Sequence, residues 1–425
     1  MSCVAEKTEI SPENYPYLKL KLTKMTISGN GINKTEEIIV DGNSFEVITG
    51  GTQVKFGKNK ARSRKQPIEE WNDYVEYKLS QGWKIISTHK TSVLKREVKK
   101  GNGYKEVKDP KVKELLKILI TTMENFMAET FVVKVEEIPD DNIQKAWDII
   151  EALKKDTSVA AFNQRLLSLW TVIPRPIRRM KSLMAVKDSD FEGIIQRETD
   201  LLLFLEDQIK MAKRKTTEDT ILEANHLDIR PCNEDEIKEI KDLMEDSKSR
   251  FVRAYKVNNS ETEKSFNQFC KSKNLTLENG GVKKLFHGSN TENWWSIFVN
   301  GLYLDPAKVK SDVCICGKAF GYGIYFAPKA RKSIGYAGGH WRSEASEHRY
   351  LAVFRVATGN PYYIYDNYNG IPQNAADLEQ IAPGKDCTWA EKGKSSTGGL
   401  WTLMEDEVIV YNQSQCTIEY IVEFN

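Results

Sequence analysis

Residues 320–339 read FGYGIYFAPKARKSIGYAGG, a stretch that sets Gly321, Gly323, Gly335, Gly338 and Gly339 among Tyr322, Tyr325, Phe326 and Tyr336. Each glycine adds backbone freedom that folding must remove, so a segment this rich in glycine is built for close approach and not merely to fill a core. GIYFA (323–327) reads as a strand, and Pro328 suits the first turn of a helix running on to Tyr336. Ser333 and Tyr336, three residues apart, then project from nearly the same helix face. A tyrosine ring in that position can stack on a flat heteroaromatic, which adds around a kcal/mol beyond its area burial.

A second stretch, KLFHGSNTENWWSIFVNGL (284–302), has an extended Leu285-Phe286 leading into His287-Gly288-Ser289. Gly288 leaves its N–H and C=O open to a ligand, a donor and acceptor pair that matches a primary carboxamide, and the Ser289 hydroxyl can add to the grip. NTENWWSIFVNG reads as a helix closed by Gly301. Taken singly, the HGS is a strand-to-helix turn and the aromatics are core; the two segments together point to a site.

Around them, 425 residues at 40% hydrophobic and 29% charged imply two or three soluble globular domains. No apolar run approaches the length of a membrane span, and MSCVAEKTEI lacks the pattern of a secretory signal. Seven scattered cysteines fit a reducing compartment, and Cys314-x-Cys316 has no second ligand pair for structural zinc. The net charge of +2 conceals a basic block: residues 51–100 carry 13 Lys/Arg against 5 Asp/Glu, densest in KFGKNKARSRK (55–65). Such a run is a solvated surface, an import signal or a nucleic-acid contact.

Hydrophobic periodicity divides the chain into three. Over about 15–100, YLKLKLTKMTI (17–27), EEIIV (36–40), SFEVITG (44–50) and TQVKFG (52–57) alternate between turn signals, as in a small antiparallel sheet. IEEWNDYVEYKLSQGWK (68–84) has helical spacing. Over about 105–225, segments 111–129, 141–155, 160–173 and 189–215 predict amphipathic helices, with Asp140 as N-cap of the second and Ser189/Glu192 as a capping box on the fourth. From 216 on, both periods mix: a capped helix opens at Asn233/Glu236, and strands are predicted at 350–356, 407–411 and 417–424. Loops rather than regular helices separate these strands, so the class is α+β and not a doubly wound sheet. Nucleotide fingerprints fail: the Walker A glycine position before Gly393-Lys394-Ser395 is Thr388, and Phe326 ends the run that begins Gly321-Tyr322-Gly323.

KLFHGSNTENWWSIFVNGL, KAFGYGIYFAPKARKSIGYAG (318–338) and EDEVIVY (405–411), in that order, resemble the catalytic domain of the poly(ADP-ribose) polymerases. The resemblance implies an α+β multidomain chain: a WGR-like nucleic-acid-binding module (15–103), a regulatory helical domain (104–215) and a mixed α+β ADP-ribosyltransferase catalytic domain (216–425). It implies NAD as the consumed substrate, with no other cofactor and no metal. The family's His-Tyr-Glu trio falls on His287, Tyr325 and Glu407. The nicotinamide carboxamide would meet Gly288 and Ser333, its ring would lie between Tyr325 and Tyr336, Ser289 would sit beside the NAD, and Lys332 near Glu407. Glu405 and Asp406 are alternative carboxylates by composition alone.

The family's Trp-Gly-Arg becomes Phe56-Gly57-Lys58, which keeps a ring and a positive charge but loses the guanidinium fork. Phe56, Lys58, Lys60 and Arg62 are the nucleic-acid candidates. Implied partners are DNA strand breaks and protein acceptors, including the chain itself, with no membrane; the implied location is the nucleus in a eukaryote and the cytoplasm otherwise. Glu405 and Ala319 depart from the side chains that elongating members carry, and Tyr303 replaces a basic residue near the adenosine end. The alternatives are a catalytically weak or mono-ADP-ribosylating DNA-binding scaffold, or an NAD glycohydrolase.

Overall fold

A computed structural model describes residues 17–26, 32–41, 43–49, 62–91, 104–131, 138, 140–175, 180–213, 219–304, 320–337, 348–364, 370–393 and 403–425. The chain divides into two compact units, Met1–Asn102 with Asn125–Lys213, and Gly103–Glu124 with Arg214–Asn425.

In the first unit, β1 (Tyr17–Thr26), β2 (Ile32–Asp41), β3 (Ser44–Thr49), β4 (Arg62–Pro67) and β5 (Lys84–Thr91) form an antiparallel sheet in the order β4-β3-β2-β1-β5. The alternation expected from the sequence is realised: Leu18, Leu20, Leu22, Ile38, Val40, Phe45 and Val47 all face one core. Helix α1 (Trp71–Ser80) closes it with Trp71, Tyr74 and Val75. Glu36 is buried among these groups and holds Lys78 at 2.6 Å and the Tyr74 hydroxyl at 3.0 Å. The helix expected over 68–84 is shorter. It begins as a 3-10 turn at 68–70 and stops before Gly82, whose φ of 81° starts the turn into β5. The strand expected at 52–57 lies outside the described residues; the fourth described strand is RSRKQP, exposed almost throughout.

Four helices follow: α2 (Pro110–Thr130), α3 (Asp140–Leu153), α4 (Val159–Val172) and α5 (Phe191–Lys213). Ser158 caps α4 by accepting from Ala161 N–H. The capping box expected at Ser189/Glu192 is displaced by two residues, to Lys187/Asp190. Asp190 accepts the N–H groups of Val186 and Lys187 at 2.9 and 3.0 Å, so the cap belongs to the 3-10 turn (Asp188–Asp190) that precedes α5. Within the first unit Glu198, 4% exposed, binds the Trp170 indole at 3.1 Å, Arg175 at 2.7 Å and Arg197 at 3.0 Å.

The second unit contains two sheets. In the first, β6 (Leu227–Pro231), β7 (Phe251–Asn259), β14 (Cys416–Phe424), β10 (Arg349–Ala357) and β8 (Val282–Gly288) pair antiparallel in the order given. Against it pack α6 (Glu234–Met244), opened by the expected Asn233/Glu236 capping box, and α9 (Ala330–Tyr336), through Ile240, Met244, Ala330 and Ile334. Helix α7 (Ser260–Lys273) packs through Phe266 and Cys270 on Val282 and Ala357. The second sheet is β11 (Pro361–Ile364), β12 (Cys387–Ala390), β13 (Glu407–Val410) and β9 (Ile324–Phe326), with α10 (Ala375–Ile381) contributing Leu378 to its core. The remaining helix, α8 (Trp294–Asn300), ends at Gly301 as expected, with φ 78°. The expected strands at 407–411 and 417–424 exist, but the turn between them passes the chain from one sheet to the other.

Strand β14 is buried along its whole length, and its acidic side chains are matched from the neighbouring strands. Glu419 lies 3.6 Å from Lys256 and 3.3 Å from Lys284; Glu423 bonds Arg253 at 2.5 Å and His348 at 2.8 Å. A buried carboxylate left without its cation is strongly unfavourable, so these pairs fix the strand order.

The same physics gives a test in the helices. Glu198→Ala strands a cluster of cations and an indole N–H, and is expected to lower stability by about 3 kcal/mol. Urea unfolding followed by tryptophan fluorescence measures it; an unchanged midpoint would show that the cluster contributes nothing net.

Candidate active site

The two sheets of the second unit are joined by backbone hydrogen bonds at the ends of β8 and β9. Phe286 N–H donates to the Ala327 carbonyl at 2.8 Å, and Ala327 N–H returns a bond to Phe286 at 2.9 Å, so the end of β8 is stitched to the residue after β9. His287 follows Phe286, and Tyr325 precedes Ala327 by two. The Nδ1 of His287 lies 2.9 Å from the Tyr325 carbonyl oxygen. A carbonyl only accepts, so Nδ1 carries the hydrogen and Nε2 presents a lone pair. Trp294, Phe326 and Phe354 surround the imidazole edge-on at centroid distances of 6.3, 5.8 and 6.0 Å. Burial in this aromatic box pushes the imidazole below its usual 6.5, against the opposing effect of the bond to Tyr325.

Tyr325 is tied to its own turn. Its hydroxyl donates to Gly321 O at 2.8 Å and accepts from Phe320 N–H at 3.0 Å, which fixes the ring as a wall. The turn requires glycine: Gly321 has φ 87°, and a Cβ there would lie 2.3 Å from Pro372 O. Burial raises the phenol well above 10, and the neighbouring Tyr411, Glu407 and Tyr336 add to the rise.

Glu407 opens β13, next to β9 in the sheet, and is 7% exposed. Lys332 reaches it from α9 at 2.6 Å and lies 6.0 Å from the Tyr336 ring centre. Ser333 is buried, and its carbonyl is so close to Gly288 that a Cβ on Gly288 would sit 1.9 Å from it. Ser289 accepts a bond from Asn293 at 3.0 Å. Tyr336 is 55% exposed.

The structure thus gathers His287, Gly288, Ser289, Tyr325, Lys332, Ser333, Tyr336 and Glu407 around the junction of β8, β9, β13 and α9. Sequence reasoning did not foresee the aromatic box or the commitment of the neighbouring acids. Asp406 accepts from the Trp389 indole at 2.9 Å and Lys392 N–H at 2.8 Å, and Glu405 pairs with Arg331. The acidic run and the Arg331-Lys332 doublet were visible, but the pairing depends on tertiary contact.

Of the nucleic-acid candidates, Phe56, Lys58 and Lys60 lie outside the described residues; Arg62 is exposed at the start of β4. Tyr303 lines a polar cavity of about 290 Å³ with Glu261, Thr262, Asn300, Gln413 and Thr417, and none of the eight gathered residues borders it. Among the described residues, no group of three or more His, Cys, Asp or Glu could hold a metal ion, and no helix is long and apolar enough to cross a membrane.

The imidazole supplies a pH test. Its folded value lies below the unfolded one of about 6.5, so the unfolded chain binds the extra proton. Stability from this group is complete above that pH and is lost as pH falls beneath it. Between pH 7.5 and 5.5, denaturant unfolding should show a larger loss for the natural chain than for His287→Gln. Equal losses would mean that the imidazole titrates as in water.

The family model described as "Poly(ADP-ribose) polymerase catalytic domain" matches residues 234–425, which takes in all eight gathered residues. Poly [ADP-ribose] polymerase 2 of Zea mays is 24% identical over 423 residues, covering 85% of this chain and 62% of the maize protein. The poly [ADP-ribose] polymerase-like protein 100L of Invertebrate iridescent virus 6 is 28% identical over 190 residues, covering 44% of this chain and 92% of the viral one. The protein mono-ADP-ribosyltransferase PARP4 of Mus musculus is 24% identical over 471 residues, covering 99% of this chain and 22% of the mouse protein. Residues 234–425 are therefore similar to a poly(ADP-ribose) polymerase catalytic domain.

Proposed function

We propose that the chain is an NAD-dependent protein ADP-ribosyltransferase that releases nicotinamide, builds poly(ADP-ribose) on itself and other proteins, and is stimulated by DNA breaks. The observation that carries this is the convergence of a fixed phenol, an oriented imidazole and a lysine-held carboxylate at one sheet junction.

In this reading the nicotinamide ring lies between Tyr325 and Tyr336, and its carboxamide meets the Gly288 backbone and the Ser333 hydroxyl. The Nε2 lone pair of His287 accepts from a ribose hydroxyl of the adenosine, a positioning role that its depressed pKa favours, because the neutral ring keeps that lone pair free. Breaking the bond between nicotinamide and C1′ leaves positive charge on C1′ and the ring oxygen, as in glycoside cleavage. The carboxylate of Glu407 stabilises that charge and polarises the attacking hydroxyl, and Lys332 holds it in place. Fixing both ends of the substrate confines C1′ to the acceptor's reach. NAD is consumed, and no step needs a metal.

Stimulation by DNA rests on the basic character of 51–100 and on Arg62, Arg64 and Lys65, which project exposed from the edge strand β4. Phosphate contact by such groups weakens steeply with salt. Transfer of single units is a second reading, favoured by the match of the mouse mono-ADP-ribosyltransferase over 99% of this chain.

Incubation with labelled NAD, with and without nicked DNA, tests both. Protein-bound label, nicotinamide release and a ladder of chain lengths that grows with nicked DNA are expected; absence of both label and release sinks the transferase. Glu407→Gln should cut chain growth by at least about tenfold, the scale of one lost charged hydrogen bond. Gly288→Ala drives a methyl into the Ser333 carbonyl and should abolish binding of a non-hydrolysable NAD analogue by calorimetry. Retained affinity would remove the Gly288 backbone from the carboxamide site.

A further inference from the structure

Helix α6 ends at Glu245, whose backbone takes φ 45° and ψ −114°. Among the described residues, three other than glycine have positive φ. Two of them, His226 and Asn274, sit in the left-handed basin, with ψ of 29° and 46°. Glu245 lies outside that basin, in a region that residues with a Cβ avoid. A helix end that needs positive φ is normally given glycine. Strain of this kind persists only where the surroundings over-determine it, and it collects at functional positions.

The Glu245 carboxylate holds Lys329, the residue from which α9 starts. Helix α9 is poorly made for independence. Its seven residues are too few for a helix to hold itself together, and no side chain caps its start. Gly335 weakens it further, at a position where a methyl would meet nothing within 4 Å. Its place is therefore set from outside. Ala330 and Ile334 share a core with Ile240 and Met244 of α6, and Lys329 ties the helix start to the end of that same helix. Glu245 foremost, with Asp246 and Glu405 adding, holds the Lys329 ammonium above its usual 10.5 against the opposing effect of desolvation. The Lys329 carbonyl in turn accepts the Lys332 N–H at 3.2 Å. Lys332 holds Glu407, and the next residue, Ser333, abuts Gly288 with no room for a Cβ. Glu245 thus heads a short chain of contacts that ends at Glu407 and Gly288.

We propose that Glu245 is a positioning residue for the NAD site. Its strained backbone aims the carboxylate at Lys329, and the pair fixes where α9 begins, and so where Lys332 and Ser333 stand. The proposal rests on the transferase reading above. The side chains of Lys329 and Glu245 are 43% and 51% exposed, so the pair stabilises the fold little. Its contribution is to geometry, which substrate binding feels even when stability does not. A glycine at 245 would adopt the turn without strain but would leave Lys329 unheld. At this position stability and substrate affinity therefore pull in opposite directions. Glu245 touches neither the substrate nor the reacting atoms, so its effect falls on KM and not on kcat.

The test uses the full chain and labelled NAD, with nicotinamide release as the rate and urea unfolding as the measure of stability. Glu245→Gln and Lys329→Gln should each raise KM for NAD about threefold and leave kcat within about twofold, the scale an exposed pair can supply. The double substitution should cost no more than either single one, because both remove the same contact. Glu245→Gly should raise the urea midpoint while raising KM as Glu245→Gln does. An unchanged KM in Glu245→Gln, or effects of the two single substitutions that add, would overturn the positioning role. A midpoint that stays or falls in Glu245→Gly overturns the strain on which the proposal is built. Failure of the transferase reading shows separately, as no nicotinamide release from the natural chain, and removes this proposal with it whatever the urea midpoint does.

Discussion

The arrangement of the second unit's site turns on two backbone hydrogen bonds, those exchanged by Phe286 and Ala327. Their net worth is of order 1 kcal/mol each, small beside the cores they join. Their importance is positional. They tie the edge strand β8 of one sheet to β9 of the other, and they set the register between the two strands that deliver His287 and Tyr325. A slip of one residue would turn either side chain to the opposite face. The His287–Tyr325 carbonyl bond adds a third tie in the same direction and decides which imidazole nitrogen is left to accept.

Holding that junction narrow is what the glycines do. At Gly288 the backbone of α9 comes closer than any Cβ allows, and at Gly323 a Cβ would lie 2.2 Å from Ile409 on β13. Close approach in turn brings Lys332 and Arg331 within reach of Glu407 and Glu405. Each acid of the run is then fixed by a distinct partner, so the carboxylate offered to the reacting centre is chosen by packing and not by its abundance in the sequence.

Much of this was legible beforehand. Alternation over 17–26, 36–40 and 44–49 gave the strands because one face of that sheet is buried. The Asn233/Glu236 spacing gave a helix start because a capping box is local chemistry. The gathered residues were named through the family resemblance, since no spacing along the chain relates 287 to 407. Edge strand β4 was invisible because RSRKQP has no buried face to impose a period. Ser189/Glu192 matched a cap pattern, but Asp190 outcompeted it by taking two backbone N–H groups. The strands at 407–410 and 416–424 are neighbours in sequence; their membership of different sheets follows from long-range pairing.

That last separation explains how one short segment serves two purposes. β14 is the centre of its sheet, and its acids, Glu419 and Glu423, are neutralised by cations from both sides, so it cannot offer a free carboxylate to a substrate. The chain reaches β14 only after passing through β13, beside β9, where Glu407 stands near the phenol of Tyr325 and under the reach of α9. Crossing from one sheet to the other within a few residues lets the buried charges of β14 stabilise the framework while Glu407 stands apart from them, next to β9. A hairpin joining the two strands in a single sheet would have placed the catalytic candidate among the structural acids, with its cation already taken. The topology therefore separates the charges that fold the domain from the charges that would act on a substrate.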